Sequence, residues 1–506
     1  MNLATPTYSY PVSAGIVGET VARRTQFRLL VAFTIVWIAW AGWSLIGRTH
    51  PYELRVLDDL GAPIASAVVD VGGSQVGTTG GDGRVDMVWR RAAVVLEVGA
   101  PGHVSQRMTL SDAPESTVDV VLKARVLRGR VVDSDGEGVG GATVQTGAGG
   151  STTDVEGRFQ IRGAAEGPVE VTRPAWMATS FEWDGGTGDT QVQIEPMTAR
   201  AVHIDGPSMR DEFDRFVDMA MDTELNALMI DLKDETGEVW YDSENPTATD
   251  IGATNGSFDL EATVEQAHDL GLYVIGRIVL FNDPIAAVAL PDMAVWDSAT
   301  NGPYEANGQF FLDPTDPAAR QYGLELAEEA CASGLDEIQF DYVRFPDARS
   351  DSATFDGGVS PEVRVSTITA FLGEAVAKLR PMGCAVGADI FGYLATAKDD
   401  GGIGQRWEDV ASVVDVVSPM LYPSHFHETF YDFPSNERPG DVISEALTDG
   451  MERLPGQVVV RPWLQDFGYD ASLVREQIAA AEEFGLGWML WNAESVVSVD
   501  ALQPAE

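Results

Sequence analysis

The sequence predicts an α/β protein: a C-terminal (β/α)8 TIM barrel, preceded by two small all-β sandwich domains and one N-terminal transmembrane helix. Three observations predict it. From Arg200 onward, eight apolar strand-like runs alternate with helix-period segments. Before that, residues 51–197 repeat internally in a Val-, Thr- and Gly-rich texture broken by turn residues. Near the start, one apolar run carries no charge.

That run is LLVAFTIVWIAWAGWSLI, residues 29–46, at the lower limit of the ~17–25 residues that span a bilayer. Arg23, Arg24 and Arg28 precede it, and Trp37, Trp40 and Trp43 sit in its C-terminal half. The basic flank puts residues 1–28 inside as a cytoplasmic tail, residues 29–47 across the cell membrane as a single-pass helix, and the rest outside. The rival is a signal peptide cleaved after Ala39-Trp40-Ala41, which would make the protein secreted. The long basic region and the apolar run beyond that site favour the anchor.

Charge narrows the partners. The chain of 506 residues carries 78 Asp and Glu against 33 Lys and Arg, a formal net charge of -45. Such a surface repels polyanions and excludes nucleic acid as a partner, and an acidic coat of this kind suits a salty environment. The two cysteines, Cys331 and Cys384, exclude a CxxC-type metal site. They read either as two buried thiols or as a disulfide, if the fold brings both to one end of neighbouring strands.

The repeat comes next. VLDDLGAPIASAVV (56–69) aligns with VVDSDGEGVGGATV (131–144), and TTGGDGR (78–84) with TTDVEGR (152–158), which defines two units of 51–123 and 124–197. The second unit, with its strand, Asp/Gly turn, strand and TTDVEGRFQI, resembles the carboxypeptidase regulatory-like domain; the first resembles it more weakly. The resemblance implies spacers or binding modules that hold the C-terminal barrel away from the membrane.

The barrel strands are expected at 201–204, 226–233, 272–281, 336–343, 384–391, 413–422, 458–465 and 487–492. Helical patterns lie between them, as at 209–221, 258–271, 316–334 and 472–485, and Gly271, Gly334 and Gly485 stand where helix C-caps belong. The alternative, an open doubly wound sheet, lacks a Gly-rich turn after the first strand.

In such a barrel the site lies at the C-terminal strand ends. DEIQFDYVRFP (336–346) alternates so that Ile338, Phe340 and Tyr342 face the helices, while Gln339 and Asp341 face the lumen. Arg344, just beyond, can pair with Asp341 or with substrate. The next strand, CAVGADIF, puts Asp389 at the same depth, followed by Gly392, which permits a close turn. Two carboxyls on adjacent strands suit acid/base hydrolysis of a glycosidic bond, with burial and mutual repulsion splitting their pKa values. Other strand ends offer Asp231 and Lys233, Arg277, Tyr422, Trp463, Gln465 and Asp466, and Trp491 with Asn492 to position a sugar. His425 and His427 read as a solvated loop rather than metal ligands, and His203 as a core histidine or a hydrogen-bonder to substrate.

GLDEIQFDYVRFP, IDLKDETG, VSPMLYPSHF, RPWLQDF and GWMLWNAES, taken together, closely resemble the putative glycosyl hydrolase domain family over residues 200–500. That is a barrel family related in fold to the α-amylase-type hydrolases. The resemblance implies a glycosidase-like barrel acting on extracellular or envelope polysaccharide. It matches the nucleophile to Asp341. Where α-amylase-type barrels place a Glu as general acid this chain has Asp389, which leaves Asp466 and Asp231 as alternatives.

The sequence therefore leads to a membrane-anchored glycoside hydrolase acting on a carbohydrate polymer, with catalytic Asp341 and Asp389 and no cofactor. Two other classes remain: a non-catalytic glycan-binding barrel displayed on β-sandwich stalks, and a structural envelope protein whose lumen carboxylates are paired by Arg.

Overall fold

Period-two alternation along a strand sends successive side chains to opposite faces, and the helices beside a parallel strand take one of those faces. In the computed structural model, which describes residues 28, 30–38, 49–90, 93–347, 349–428 and 430–505, this rule sorts nearly every barrel residue. The strands are β1 (Arg200–Ile204), β2 (Ala227–Lys233), β3 (Tyr273–Val279), β4 (Glu337–Asp341), β5 (Ala385–Phe391), β6 (Val416–Leu421), β7 (Trp463–Gln465) and β8 (Trp488–Trp491). Each pairs in parallel with its sequence neighbours, and β8 pairs with β1, so the sheet closes on itself. Closure overturns the open-sheet alternative.

Helices start where the chain supplies a side-chain cap. Asp205, Asp259, Asp316, Ser360 and Asp470 each accept a hydrogen bond from an amide in the first turn of the adjoining helix. Some of the abundant acid is thus spent on helix N-termini. Gly271, Gly334 and Gly485 have positive φ (77°, 95° and 70°) after three of these helices, where other residues would be strained.

The outward faces of the strands, such as Leu228, Ile230, Ile338, Phe340 and Ile390, join the helices in the main core. The inward faces stack in layers. At the bottom Glu337 and Arg461, both fully buried, pair at 2.8 Å, and the Tyr273 hydroxyl donates to Glu337 at 3.1 Å. Gly387 sits beside them because a side chain there would lie 2.8 Å from Glu337 Oε1. Burial pushes the Glu337 carboxyl above its usual range although Arg461 opposes this. Above lie Met229, Ile275, Trp463 and Met489.

The N-terminal all-β region consists of two sandwiches with separate cores. Their repeat is written in hydrogen bonds. Asp58 Oδ1 accepts from the amides of Leu60 and Ala62, and Asp133 Oδ1 accepts from those of Asp135 and Glu137. Thr79 Oγ1 ties Ala67 to Ile64, and Thr153 Oγ1 ties Ala142 to Val139. These Asp and Thr side chains are the residues the sequence repeats, because each closes the same turn twice.

The second sandwich docks on the bottom of the barrel. Ala175 and Trp176 pack against Ala385, Val416 and Val459, which stand at the N-terminal ends of the strands. Arg173 donates to the Gln457 carbonyl at 3.2 Å. The opposite, C-terminal face is left open. Cys331, at the end of the helix Pro317–Ala332, and Cys384, just before β5, form a disulfide with Cα atoms 6.0 Å apart, so they are not two free thiols.

Of the apolar run 29–46, residues 30–38 are helical; the rest of it, and the tail 1–27, lie outside the described residues. Among the described residues no helix is long and apolar enough to cross a membrane.

Candidate active site

A cavity of about 470 Å³ opens at the C-terminal ends of the strands. Five of the residues expected from sequence line it: Arg277, Asp341, Arg344, Tyr422 and Trp491. Its electrostatic centre is Arg277, fully buried on β3. Nη1 donates to Asp231 Oδ1 at 2.9 Å, and Nε and Nη2 to Asp341 Oδ2 at 3.1 and 2.6 Å. Nη2 also meets Glu235 Oε1 at 2.5 Å. Burial would lower the Arg277 pKa, but Glu235, Asp231 and Asp341 outweigh it and raise it well above the ordinary value. Its guanidinium lies 4.7 Å over the Trp491 ring.

Asp341 ends β4 with a local twist. Its Oδ1 accepts from the amide of Tyr342 at 2.6 Å, and Tyr342 takes a left-handed φ of 48°. A non-glycine residue held there is strained, and such strain persists only where neighbours over-determine it. The alternation therefore stops at Asp341. Tyr342 does not face the helices as expected; it lines the cavity and accepts from Gln309 Nε2 at 3.1 Å. Arg344 does not pair with Asp341. It lies 3.6 Å from Asp347, and its guanidinium stands 4.8 Å from the rings of both Tyr342 and Phe391.

Asp389 lies deeper than expected. It is fully buried beneath the cavity, not on its wall. Its Oδ1 accepts from Trp463 Nε1 at 2.6 Å and from Gln339 Nε2, while Oδ2 has no partner among the described residues. Burial, then the charge of Asp341, pushes its pKa well above the carboxylate range. Burial in the lumen thus favours the neutral form of Asp389, which does not line the cavity. Gly392 follows as a close turn: a side chain there would lie 2.3 Å from the Met420 carbonyl.

The other expected residues brace the rim. Asp231 is 2 % exposed, between His203 and Arg277; burial pushes it up, but those two cations outweigh burial and hold it below its usual range. Lys233 turns away across a register shift in β2, pairing with Asp283 at 2.9 Å and the Val279 carbonyl at 2.7 Å. Trp463 is spent on Asp389. Gln465 holds the Ser424 amide and the Phe467 carbonyl. Asp466 accepts from the Ser498 amide, and Asn492 donates to the Asp466 carbonyl. None of these six borders the cavity. Exposed His425 does, edge-on to Tyr422 at 5.3 Å, and partial desolvation lowers its pKa. Among the described residues no cluster could hold a metal ion.

Sequence reasoning passed over Glu235, whose side chain is 35 % exposed and reaches the cavity. Its signal was present: it follows β2 in IDLKDETG, at a C-terminal strand end. Gln309, from an insertion after β3, had none.

Asp341 and Glu235 therefore face one cavity and share one nitrogen. Their nearest oxygens are no farther apart than those two hydrogen bonds laid end to end.

The family model described as "Putative glycosyl hydrolase domain" matches residues 201–496. No curated protein matches the chain. Among solved structures, a hypothetical protein from Ruminiclostridium thermocellum is 34% identical, over 37% of this chain and 96% of that one, with a TM-score of 0.34. The glycoside hydrolase domain of PgaB (BpsB) from Bordetella bronchiseptica is 13% identical, over 59% and 95%, with a TM-score of 0.45. The glycoside hydrolase domain of PelA from Pseudomonas aeruginosa is 10% identical, over 59% and 95%, with a TM-score of 0.37.

Proposed function

Through residues 201–496 the chain belongs to the putative glycosyl hydrolase domain family, and from that premise we propose that it hydrolyses glycosidic bonds of a carbohydrate polymer. The observation that carries this is the pair Asp341 and Glu235 on one cavity, joined through Arg277 Nη2. Asp341 attacks the anomeric carbon as Glu235 gives its proton to the departing glycosidic oxygen. Water then attacks the glycosyl–Asp341 ester, Glu235 takes the water's proton, and the Asp341 carboxylate is restored. Asp389 is reassigned from general acid to buried support, since a proton donor must reach the glycosidic oxygen. Tyr422 and Trp491 offer apolar faces to sugar rings, and Arg344 offers donors to hydroxyls.

The segment 29–47 serves as the membrane anchor, with residues 1–28 inside and the domains that follow outside. A disulfide fits an exported protein. The sandwiches act as spacers: with the second docked under the barrel, the cavity opens away from them.

The saturation of Arg277 by three carboxylates favours a second reading, a barrel that binds glycan without cleaving it. Incubation of the protein with a panel of envelope and plant polysaccharides separates the two. Reducing ends that appear, and vanish with both Asp341→Asn and Glu235→Gln, support hydrolysis; binding without release supports the second reading; neither sinks both.

A further inference from the structure

One titratable group in the upper lumen has no part in that chemistry. His203, on β1, is 2 % exposed and both its ring nitrogens are engaged. Nδ1 lies 2.9 Å from the carbonyl oxygen of Asn492, and Nε2 lies 2.9 Å from Asp231 Oδ2. A carbonyl oxygen only accepts, so Nδ1 carries a proton. The other oxygen of Asp231 accepts from Arg277 Nη1 at 2.9 Å, which favours an ionised carboxylate, so Nε2 carries a proton as well. His203 is an imidazolium, its ring tilted 34° to that of Trp491 with centroids 4.1 Å apart. The charged groups around it are Asp231 from β2 and Arg277 from β3; Trp463 and Trp491, from β7 and β8, bring no charge.

The contacts form a chain across four consecutive strands: His203 on β1, Asp231 on β2, Arg277 on β3 and Asp341 on β4. We propose that His203 is a positioning residue: its imidazolium holds one oxygen of Asp231, confining that carboxylate to Nη1 of Arg277 so that Nε and Nη2 stay on Asp341, and loss of the Nε2 proton releases that arrangement. The physical reason is local. With Nδ1–H committed to the Asn492 carbonyl, a neutral ring turns its Nε2 lone pair onto Asp231 Oδ2 at 2.9 Å. The contact becomes repulsive. Asp231, already on Nη1 through Oδ1, then turns its freed Oδ2 toward the guanidinium and competes with Asp341 for it. Burial pushes the His203 pKa down, but the Asp231 charge and hydrogen bond outweigh burial and leave it above the ordinary value, so release falls on the alkaline side. The effect on turnover rests on the hydrolase reading; the coupling of His203 to Asp231 does not.

The test compares the full chain with His203→Gln, whose neutral amide neither titrates nor supplies a cation opposite Asp231. Release of reducing ends from amylose, xylan, laminarin and glycol chitosan is followed against pH. Expected are a kcat lowered roughly 10- to 100-fold with KM within about twofold, and loss of the alkaline limb of the wild-type kcat profile. An unchanged kcat, or a limb that persists in the variant, overturns the inference. Melting supplies a readout free of activity. A histidine with a raised folded pKa contributes stability fully present below about pH 6.5 and lost as pH climbs through the folded value. The wild-type midpoint should therefore fall on the alkaline side more than that of the variant, and parallel curves overturn the coupling. If His203→Gln does not fold, Asp231→Asn takes its place and must flatten the same limb; a limb left intact overturns the inference. If the melting curves diverge while no polysaccharide is cleaved, the coupling stands and the hydrolase reading fails.

Discussion

Arg277 Nε and Nη2 both donate to Oδ2 of Asp341, at 3.1 and 2.6 Å, which leaves Oδ1 turned back on the Tyr342 amide. The carboxylate is held from two sides before any sugar arrives, so its direction does not depend on substrate.

Asp341→Asn keeps the shape but removes the charge that attacks or stabilises the anomeric centre. Turnover of a cleavable glycan should fall by about a thousandfold or more. Calorimetry should still detect glycan binding, since Tyr422 and Trp491 are untouched. Retained turnover would remove Asp341 from the mechanism.

Arg277→Met leaves Asp231 and Asp341 buried without their shared cation. Breaking a buried pair from one side costs about 3–5 kcal/mol, so the urea midpoint should drop accordingly. Arg277→Lys should recover little, because one ammonium cannot span three carboxylates as a planar fork does. A midpoint unchanged by Arg277→Met would show that Arg277 does not carry this cluster.

Asp389 discriminates support from acid catalysis. Its folded pKa is raised, so it contributes stability that is present below about pH 4 and lost as pH rises toward the folded value. Asp389→Asn mimics the neutral acid and should remove that loss, making the variant gain on wild type as pH rises above about 4 in urea titrations. Asp389→Ala strands the Gln339 and Trp463 donors and should cost about 1–3 kcal/mol for each buried group left unpaired. A thousandfold loss of turnover in Asp389→Asn, with stability intact, would restore it as the acid.

The disulfide closes a sequence separation of 53 residues, from the third barrel helix to the start of β5. Chain-entropy arguments put its contribution at about 4 kcal/mol. Cys331→Ser with Cys384→Ser should lower the urea unfolding free energy by that order and leave wild type sensitive to reductant; equal curves with and without reductant would count against it.

Much of this was readable along the chain because barrel strands alternate and barrel helices are capped. Ile338 and Phe340 against Gln339 and Asp341 announce which side is lumen, and Gly271, Gly334 and Gly485 announce where helices stop. Tyr342 broke the rule because an oxygen of the preceding side chain captured its amide, a contact that period-two reasoning does not contain. Lys233 broke it at a register shift, where β2 passes Asp231 and its next inward position is lost. Glu235 was visible but outweighed by acids nearer the strand.

The sequence alone determined the closed barrel, the paired sandwiches before it, the family to which residues 201–496 belong, and the placing of Asp341 at the C-terminal end of its strand. Those follow from local periodicity and turn chemistry, which neighbouring residues dictate. Only the tertiary structure decided which carboxyls meet solvent: Asp389 sinks beneath the floor while Glu235 rises beside Asp341. Depth in the lumen depends on how strands from different parts of the chain are staggered, and on a single guanidinium that gathers three acids from two of them and the loop after β2.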